Sequence, residues 1–185
     1  MTASRVERRA FRLSKMVLLF LLAFIPAAYA AALCSYNDGD VSARWAVKGY
    51  YITIEIANKN LTNNQWTGIA FGPDMFHLEI VIVSILDENP SFATGYTDYY
   101  APPIIDARPN VALKLLSYDN NELVFRFSRP LGPTGDRRHS LEDCQMWSFV
   151  DKGDILEDEM LPHSDVPKQV KVCPLECKGD LPSKK

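Results

Sequence analysis

The sequence predicts an all-β fold, an antiparallel β-sandwich of immunoglobulin-like, two-sheet architecture. Eight short apolar segments recur along the chain, separated by Gly, Pro, Asn and Asp turn signals. Two of them alternate strictly. Ile52, Ile54 and Ile56 fall on one side of Tyr51–Ile56, and Leu123, Phe125 and Phe127 on one side of Glu122–Arg129. That period of two marks a half-buried strand. No stretch after residue 30 repeats at a helical period, and none is long or polar enough for an interdomain linker. A chain of 185 residues accommodates one such domain with a sizeable core.

The first 30 residues stand apart from this pattern. Arg5, Arg8, Arg9, Arg12 and Lys15 precede an apolar run, Met16 to Ala28, that is interrupted by Pro26. Ala28-Tyr29-Ala30 fits an A-x-A cleavage site, so residues 1–30 read as a secretory signal peptide. A retained membrane anchor competes, since Met16 to Leu33 holds 18 residues without a charge. Pro26 and the small residues after it favour cleavage. The expectation is a secreted chain with no transmembrane segment, a domain over residues 31–177 and a polar tail over 178–185.

Each strand has its own signal. Ala43 to Val47 carries Trp45, and Lys48-Gly49-Tyr50 turns it into Tyr51–Ile56. Asn58 to Gln65 is a polar loop holding the glycosylation sequon Asn60-Leu61-Thr62. Trp66 to Phe71 follows, with Gly68 inside it, a position where another group approaches the backbone. Gly72-Pro73-Asp74 turns that strand and delivers Met75. Glu79 to Leu86 is a run of β-branched residues, as expected of a strand covered on both faces. Phe92 to Tyr100 is rich in aromatics and threonine and stops at Pro102-Pro103. Val111 to Tyr118 and Glu122 to Arg129 flank a tight turn at Asp119-Asn120-Asn121. Gln145 to Val150 carries Trp147, and the acids of Asp151 to Glu159 read as a solvated loop.

Past residue 30 the chain has 15 Lys and Arg against 22 Asp and Glu, a net charge of −7. That balance argues against nucleic acid or an anionic membrane as partner. The four cysteines, Cys34, Cys144, Cys173 and Cys177, all lie after the leader. An even count in a secreted chain implies two disulfides, with three possible connectivities, and their positions staple the termini to the body. Zinc at Cys173-x-x-x-Cys177 with His163 is the competing reading, against which stand the unfamiliar spacing and the oxidising compartment.

Nucleophilic catalysis finds no support. There is no G-x-S-x-G elbow, no H-E-x-x-H and no Gly-rich phosphate loop, and His77, His139 and His163 lie in no base–nucleophile context. Soft-metal ligation is the alternative. Met75 and His163 lie near Pro73 and Pro162, in segments that proline can stiffen. The plainer reading makes Met75 a core filler and His163 a solvent-facing loop residue. A copper site of Met75, His77 and His163 needs the strand to continue past Met75, so that residues 75 and 77 share a face.

The order of these pieces resembles the DOMON domain, a β-sandwich found beside copper monooxygenase, cytochrome b561 and cellobiose dehydrogenase modules. Trp45 and Tyr51–Ile56 match the opening; Trp66-Thr67-Gly68-Ile69-Ala70-Phe71-Gly72 and Met75 match the central segment and its following Met. Tyr96-Thr97-Asp98-Tyr99 with Pro103 and Asp106 match the middle, Phe125-Arg126-Phe127-Ser128-Arg129 with Asp136 the hairpin, and Trp147 and His163 the close. The resemblance implies a sandwich whose interior holds a b-type haem or a sugar-like ligand. In haem-binding members the Met and the late His are the axial ligands of the iron, here Met75 and His163. Glu79 stands where members often have Asp, and His139 where a second acid often follows.

The expected function is therefore extracellular electron transfer by a secreted haem b domain that is not itself an enzyme and passes electrons to a separate redox partner. The alternative is a haem-free module that binds carbohydrate or protein, with Tyr96, Tyr99, Tyr100 and Trp147 offering stacking faces. A third reading is an interaction domain whose pocket is simply core.

Overall fold

The computed structural model describes residues 34–133 and 139–182. The expected signal peptide and Asp136 lie outside the described residues. The chain opens with β1 (Ser35–Asp38), β2 (Val41–Lys48) and β3 (Tyr51–Asn58). It passes to a second sheet for β4 (Gln65–Phe71), β5 (Glu79–Leu86), β6 (Asn89–Tyr96) and the short β7 (Ile104–Ile105). It returns for β8 (Ala112–Asp119) and β9 (Glu122–Pro130), then ends in the second sheet with β10 (Gln145–Leu156), β11 (Glu159–His163) and β12 (Lys168–Val172). One sheet has the order β1-β2-β3-β9-β8 and the other β11-β10-β4-β5-β6-β7, with β12 also paired to β10. Neighbouring strands in both sheets are antiparallel.

Period-two alternation decides what lies between the sheets. Ile52, Ile54 and Ile56 of β3 and Leu123, Phe125 and Phe127 of β9 point inward and are fully buried. Ile69 and Phe71 of β4, Val81, Val83 and Ile85 of β5, and Trp147 and Phe149 of β10 answer them. Trp45 from one sheet meets Trp147 from the other at 5.2 Å between ring centroids, and Phe71 packs edge-on against Trp147 at the same distance. Trp147 is therefore a core residue and offers no stacking face to a ligand.

The outer faces differ. On the five-stranded sheet the outer face is polar: Glu55 takes Arg44 and Arg126 as partners from the flanking strands. On the other sheet Trp66, Ala70, Ile80, Ile82 and Val150 form a second buried apolar cluster, which Met75 and Met160 join. β5 is thus apolar on both faces, as its sequence predicts.

Two expectations need correction. Asp151 to Glu159 is not a solvated loop. β10 runs on to Leu156, Glu157 and Asp158 turn it with φ of 51° and 66°, and β11 returns. Asp154, Glu157, Asp158 and Glu159 are the exposed positions of an edge hairpin whose buried positions are Gly153 and Ile155, and Asp151 is half-buried. The strand expected over Phe92–Tyr100 instead covers Asn89–Tyr96, because the turn before it needs only Asp87 and Glu88, both with positive φ. The polar tail is held as far as it is described. Val47 donates to the Cys177 carbonyl and Gly179 to that of Val47, while Lys48 pairs with Asp180 at 2.8 Å.

All four cysteines are oxidised, as Cys34–Cys177 and Cys144–Cys173. No thiolate remains for zinc at Cys173 and Cys177. Among the described residues no helix is long and apolar enough to cross a membrane.

Candidate functional site

A cavity of about 360 Å³ lies against the outer face of the seven-stranded sheet. This is within the range of small-ligand sites. Gly68 and Ala70 of β4, Ile80 and Ile82 of β5, and Ser148 and Val150 of β10 form its floor. The position corrects the expectation of a pocket in the sandwich interior. The space between the sheets is filled by large side chains, while the outer face of β4 has Gly68 and Ala70, which leave room.

Gly68 is required for a further reason. A Cβ there would lie 2.6 Å from the Val81 carbonyl oxygen and 2.8 Å from Ile82 Cγ2. The group that approaches the backbone closely is the neighbouring strand β5.

Three segments build the walls. The first leaves β4 at Gly72, whose φ of 140° belongs to glycine, and carries Met75 to the cavity. Asp74 Oδ1 accepts from the Phe76 amide at 2.9 Å and shapes the turn. The buried Thr97 hydroxyl ties the segment down, donating to the Met75 carbonyl at 2.8 Å and accepting from the Leu78 amide at 3.0 Å. Thr97 itself opens the second wall, Thr97 with Tyr100 to Pro103. The third wall is the end of β11, where Met160, Leu161, Pro162 and His163 all line the cavity. Pro162 is tolerated because β11 is an edge strand.

Met75 and His163, 88 residues apart in sequence, thus line one cavity, and both are partly buried. His77 does not join them. The strand ends at Phe71, His77 has a φ of 56°, and its side chain is 78% exposed, 3.9 Å from Asp98. A Met75, His77 and His163 copper site is therefore not assembled. Its carbonyl instead pairs with His139 Nε2 at 2.7 Å.

Glu79 and His139, the two departures from the family pattern, meet away from the cavity. Glu79 Oε2 accepts from the His139 amide at 2.9 Å, and Glu79 pairs with Arg129. Of the other residues singled out in the sequence, Pro103 lines the cavity and Asp106 accepts from the Thr94 hydroxyl at 2.7 Å. Tyr99 and Tyr100 are exposed and pack against the edge of Phe76, and Tyr100 reaches the cavity. Tyr96 is only partly exposed and is not a lining residue. Asn60 is exposed, with its Nδ2 donating to Asp40 at 3.1 Å.

Sequence reading missed Thr97 as the tie for the Met75 segment, and Met160 and Gly153 altogether. The signal for the last two was the alternation of Gly153 and Ile155 through the acidic run.

The donor set is soft, one or two thioethers and an imidazole among apolar walls. Among the described residues no Lys or Arg lines the cavity. A ligand bearing carboxylates would keep them at the mouth, since burying them unpaired is costly. A flat, apolar, iron-centred group fits these residues.

The molecule is thus an antiparallel β-sandwich domain with an apolar cavity of ligand size on one outer face. It belongs to the DOMON domain family, whose model matches residues 37–152. The chain is 32% identical to DOMON domain-containing protein Y73F4A.1 of Caenorhabditis elegans, covering 89% of this chain and 92% of that one. It is 36% identical to DOMON domain-containing protein CBG21755 of Caenorhabditis briggsae, covering 86% and 89%. Two solved structures share the fold. The cytochrome domain of Myriococcum thermophilum cellobiose dehydrogenase has a TM-score of 0.57 at 9% identity, covering 78% of this chain and 84% of that one. The cytochrome b domain of pyranose dehydrogenase from Coprinopsis cinerea has a TM-score of 0.54 at 14% identity, covering 79% and 89%.

Proposed function

We propose that the cavity receives a b-type haem, whose iron Met75 and His163 would hold, and that the domain serves electron transfer outside the cell. One observation carries the reading: a thioether and an imidazole from distant parts of the chain line one apolar cavity of about 360 Å³. The two solved structures of like fold, both named as cytochrome domains, support it. Held by Met75 and His163, such a group would supply a one-electron couple, the chemistry that electron transfer needs.

The chain's own residues do the rest. Ile80, Ile82 and Val150 exclude water from the floor. Thr97 orders the segment that offers Met75. The described lining residues are uncharged walls and one imidazole, which would direct carboxylates to solvent. Two disulfides support an oxidising, extracellular setting, to which the leader and the Asn60 sequon also belong. In this reading electrons would leave to a separate redox partner.

The test is to express residues 31–185 with haem supplied and record the absorption spectrum. A six-coordinate low-spin Soret and α-band is expected, and it should be lost in the Met75→Ala, His163→Ala double variant. A protein that takes up no haem refutes the reading, and a low-spin spectrum unchanged in the double variant refutes the ligands.

A second reading is favoured by Tyr99 and Tyr100, 64% and 77% exposed. Two rings open to solvent beside a cavity suit stacking on a sugar face. Glycan binding by a colourless protein, lost in Tyr99→Ala and Tyr100→Ala, would establish it in place of the first.

A further inference from the structure

We propose that Trp66 is the residue that positions His163, its indole crossing Gly153 to hold β11 against the cavity. The inference takes its use from the haem reading, but its geometry stands without it. Trp66 pairs with Gly153 in the β4–β10 ladder, and Gly153 pairs with His163 in the β10–β11 ladder. The three residues therefore form one row across three strands. A Cβ on Gly153 would lie 2.3 Å from Trp66 Nε1 and 2.5 Å from Cε2. The ring must therefore lie directly on the Gly153 backbone, and any side chain there would displace it. Having crossed β10, the indole N–H donates to the Leu161 carbonyl at 3.0 Å, two residues before His163.

β11 needs such a tether. It has five residues, its Pro162 donates no hydrogen bond, and its pairing with β10 shifts register between Gly153 and Ile155. On the far side of His163 the Ser164 amide donates to the Lys152 carbonyl at 2.9 Å. His163 is thus suspended between the Trp66 bond and this one. The contrast with the other two tryptophans is sharp. Among the described residues the indole nitrogens of Trp45 and Trp147 find no hydrogen-bond partner, and these rings fill space. Met75 is held independently, through Thr97. Perturbing Trp66 should therefore loosen one ligand and leave the other in place.

The test compares Trp66→Phe, which keeps a ring and removes the N–H, with Gly153→Ala, which pushes the ring away, and with Trp45→Phe as control. In haem-free protein, amide hydrogen exchange at Leu161, His163 and Ser164 should quicken about five- to tenfold in the first two variants, as loss of one hydrogen bond predicts. Amides of Ile52 to Ile56 should not change in these two variants, and the Trp45→Phe control, which removes core volume beside Ile54, should leave exchange at Leu161, His163 and Ser164 at the native rate. In haem-loaded protein the same two variants should lose low-spin character, and free imidazole should restore it.

Native exchange rates in Trp66→Phe would overturn the inference, as would faster exchange with unaltered coordination. If the native protein takes up no haem, the haem reading fails, and the exchange rates alone decide whether Trp66 positions His163. Should Gly153→Ala not fold, Trp66→Phe carries the test.

Discussion

Glu79 on β5 and Arg129 on β9 meet inside the sandwich at 2.9 Å, both almost wholly buried. Taking two charges out of water costs several kcal/mol each, which attraction alone offsets only with good geometry and further hydrogen bonds. Those bonds are present. Arg129 donates to the His139 carbonyl at 2.6 Å and lies 5.6 Å from the centre of the Phe71 ring. Removing one partner strands the other charge, so Arg129→Met should cost about 3–5 kcal/mol in denaturant unfolding. The Glu79→Gln, Arg129→Met double variant should cost much less than the two single losses together; additive losses would mean the pair is not coupled. Thr97→Val is the counterpart at the cavity. It strips the hydroxyl from the Met75 carbonyl and Leu78 amide and should cost about 1–3 kcal/mol, with faster exchange at Leu78. Glu79 was legible in the sequence as a departure from a pattern. Its partner was not, because Arg129 is adjacent only once the two sheets face each other.

The β10–β11 hairpin is the element on which the site depends, and it was the one least legible. Asp154, Glu157, Asp158 and Glu159 gave it the composition of a solvated loop, yet an edge hairpin exposes such residues as a matter of course. Its alternation was visible only in Gly153 and Ile155, too few positions to outweigh four acids. Asp151, where the hairpin leaves the core, carries a prediction of its own. Burial raises its carboxyl above the usual carboxylate range; Lys152 opposes this, while Asp40, Asp165 and Asp38 add to it. The folded chain then keeps this proton to a higher pH than the unfolded chain does. Between the two values the folded state binds more protons, so this group's effect on stability becomes less favourable as pH rises through the window. Asp151→Asn should stabilise the protein at pH 7 and flatten that part of the profile. Urea midpoints between about pH 4 and pH 7 would show it, and a variant less stable at pH 7 would contradict it.

At the scale of the molecule, periodicity disclosed the sandwich and which side chains share a face, since a period of two needs no knowledge of neighbours. It did not disclose which face is core, because β4 and β5 are apolar on both, and so it could not correct the interior cavity that the family resemblance implied. The cysteines left three pairings open for the same reason: pairing is a property of strand order. The observed pairs join the chain at very different range, 143 residues apart for Cys34–Cys177 and 29 for Cys144–Cys173. If a disulfide acts by restricting the unfolded chain, the longer loop gains more, by about 1.4 kcal/mol between these two spans. Cys34→Ala with Cys177→Ala should therefore lower stability by about 5 kcal/mol, and Cys144→Ala with Cys173→Ala by about 3.6 kcal/mol. The longer bridge also anchors the segment after Cys177, whose backbone pairs with Val47 at the end of β2. Its loss should free that segment to limited proteolysis after Lys178, while loss of the shorter bridge should leave Lys178 protected. Equal unfolding midpoints for the two double variants, or cleavage at Lys178 in both, would show that the bridges act instead through local packing of the folded state.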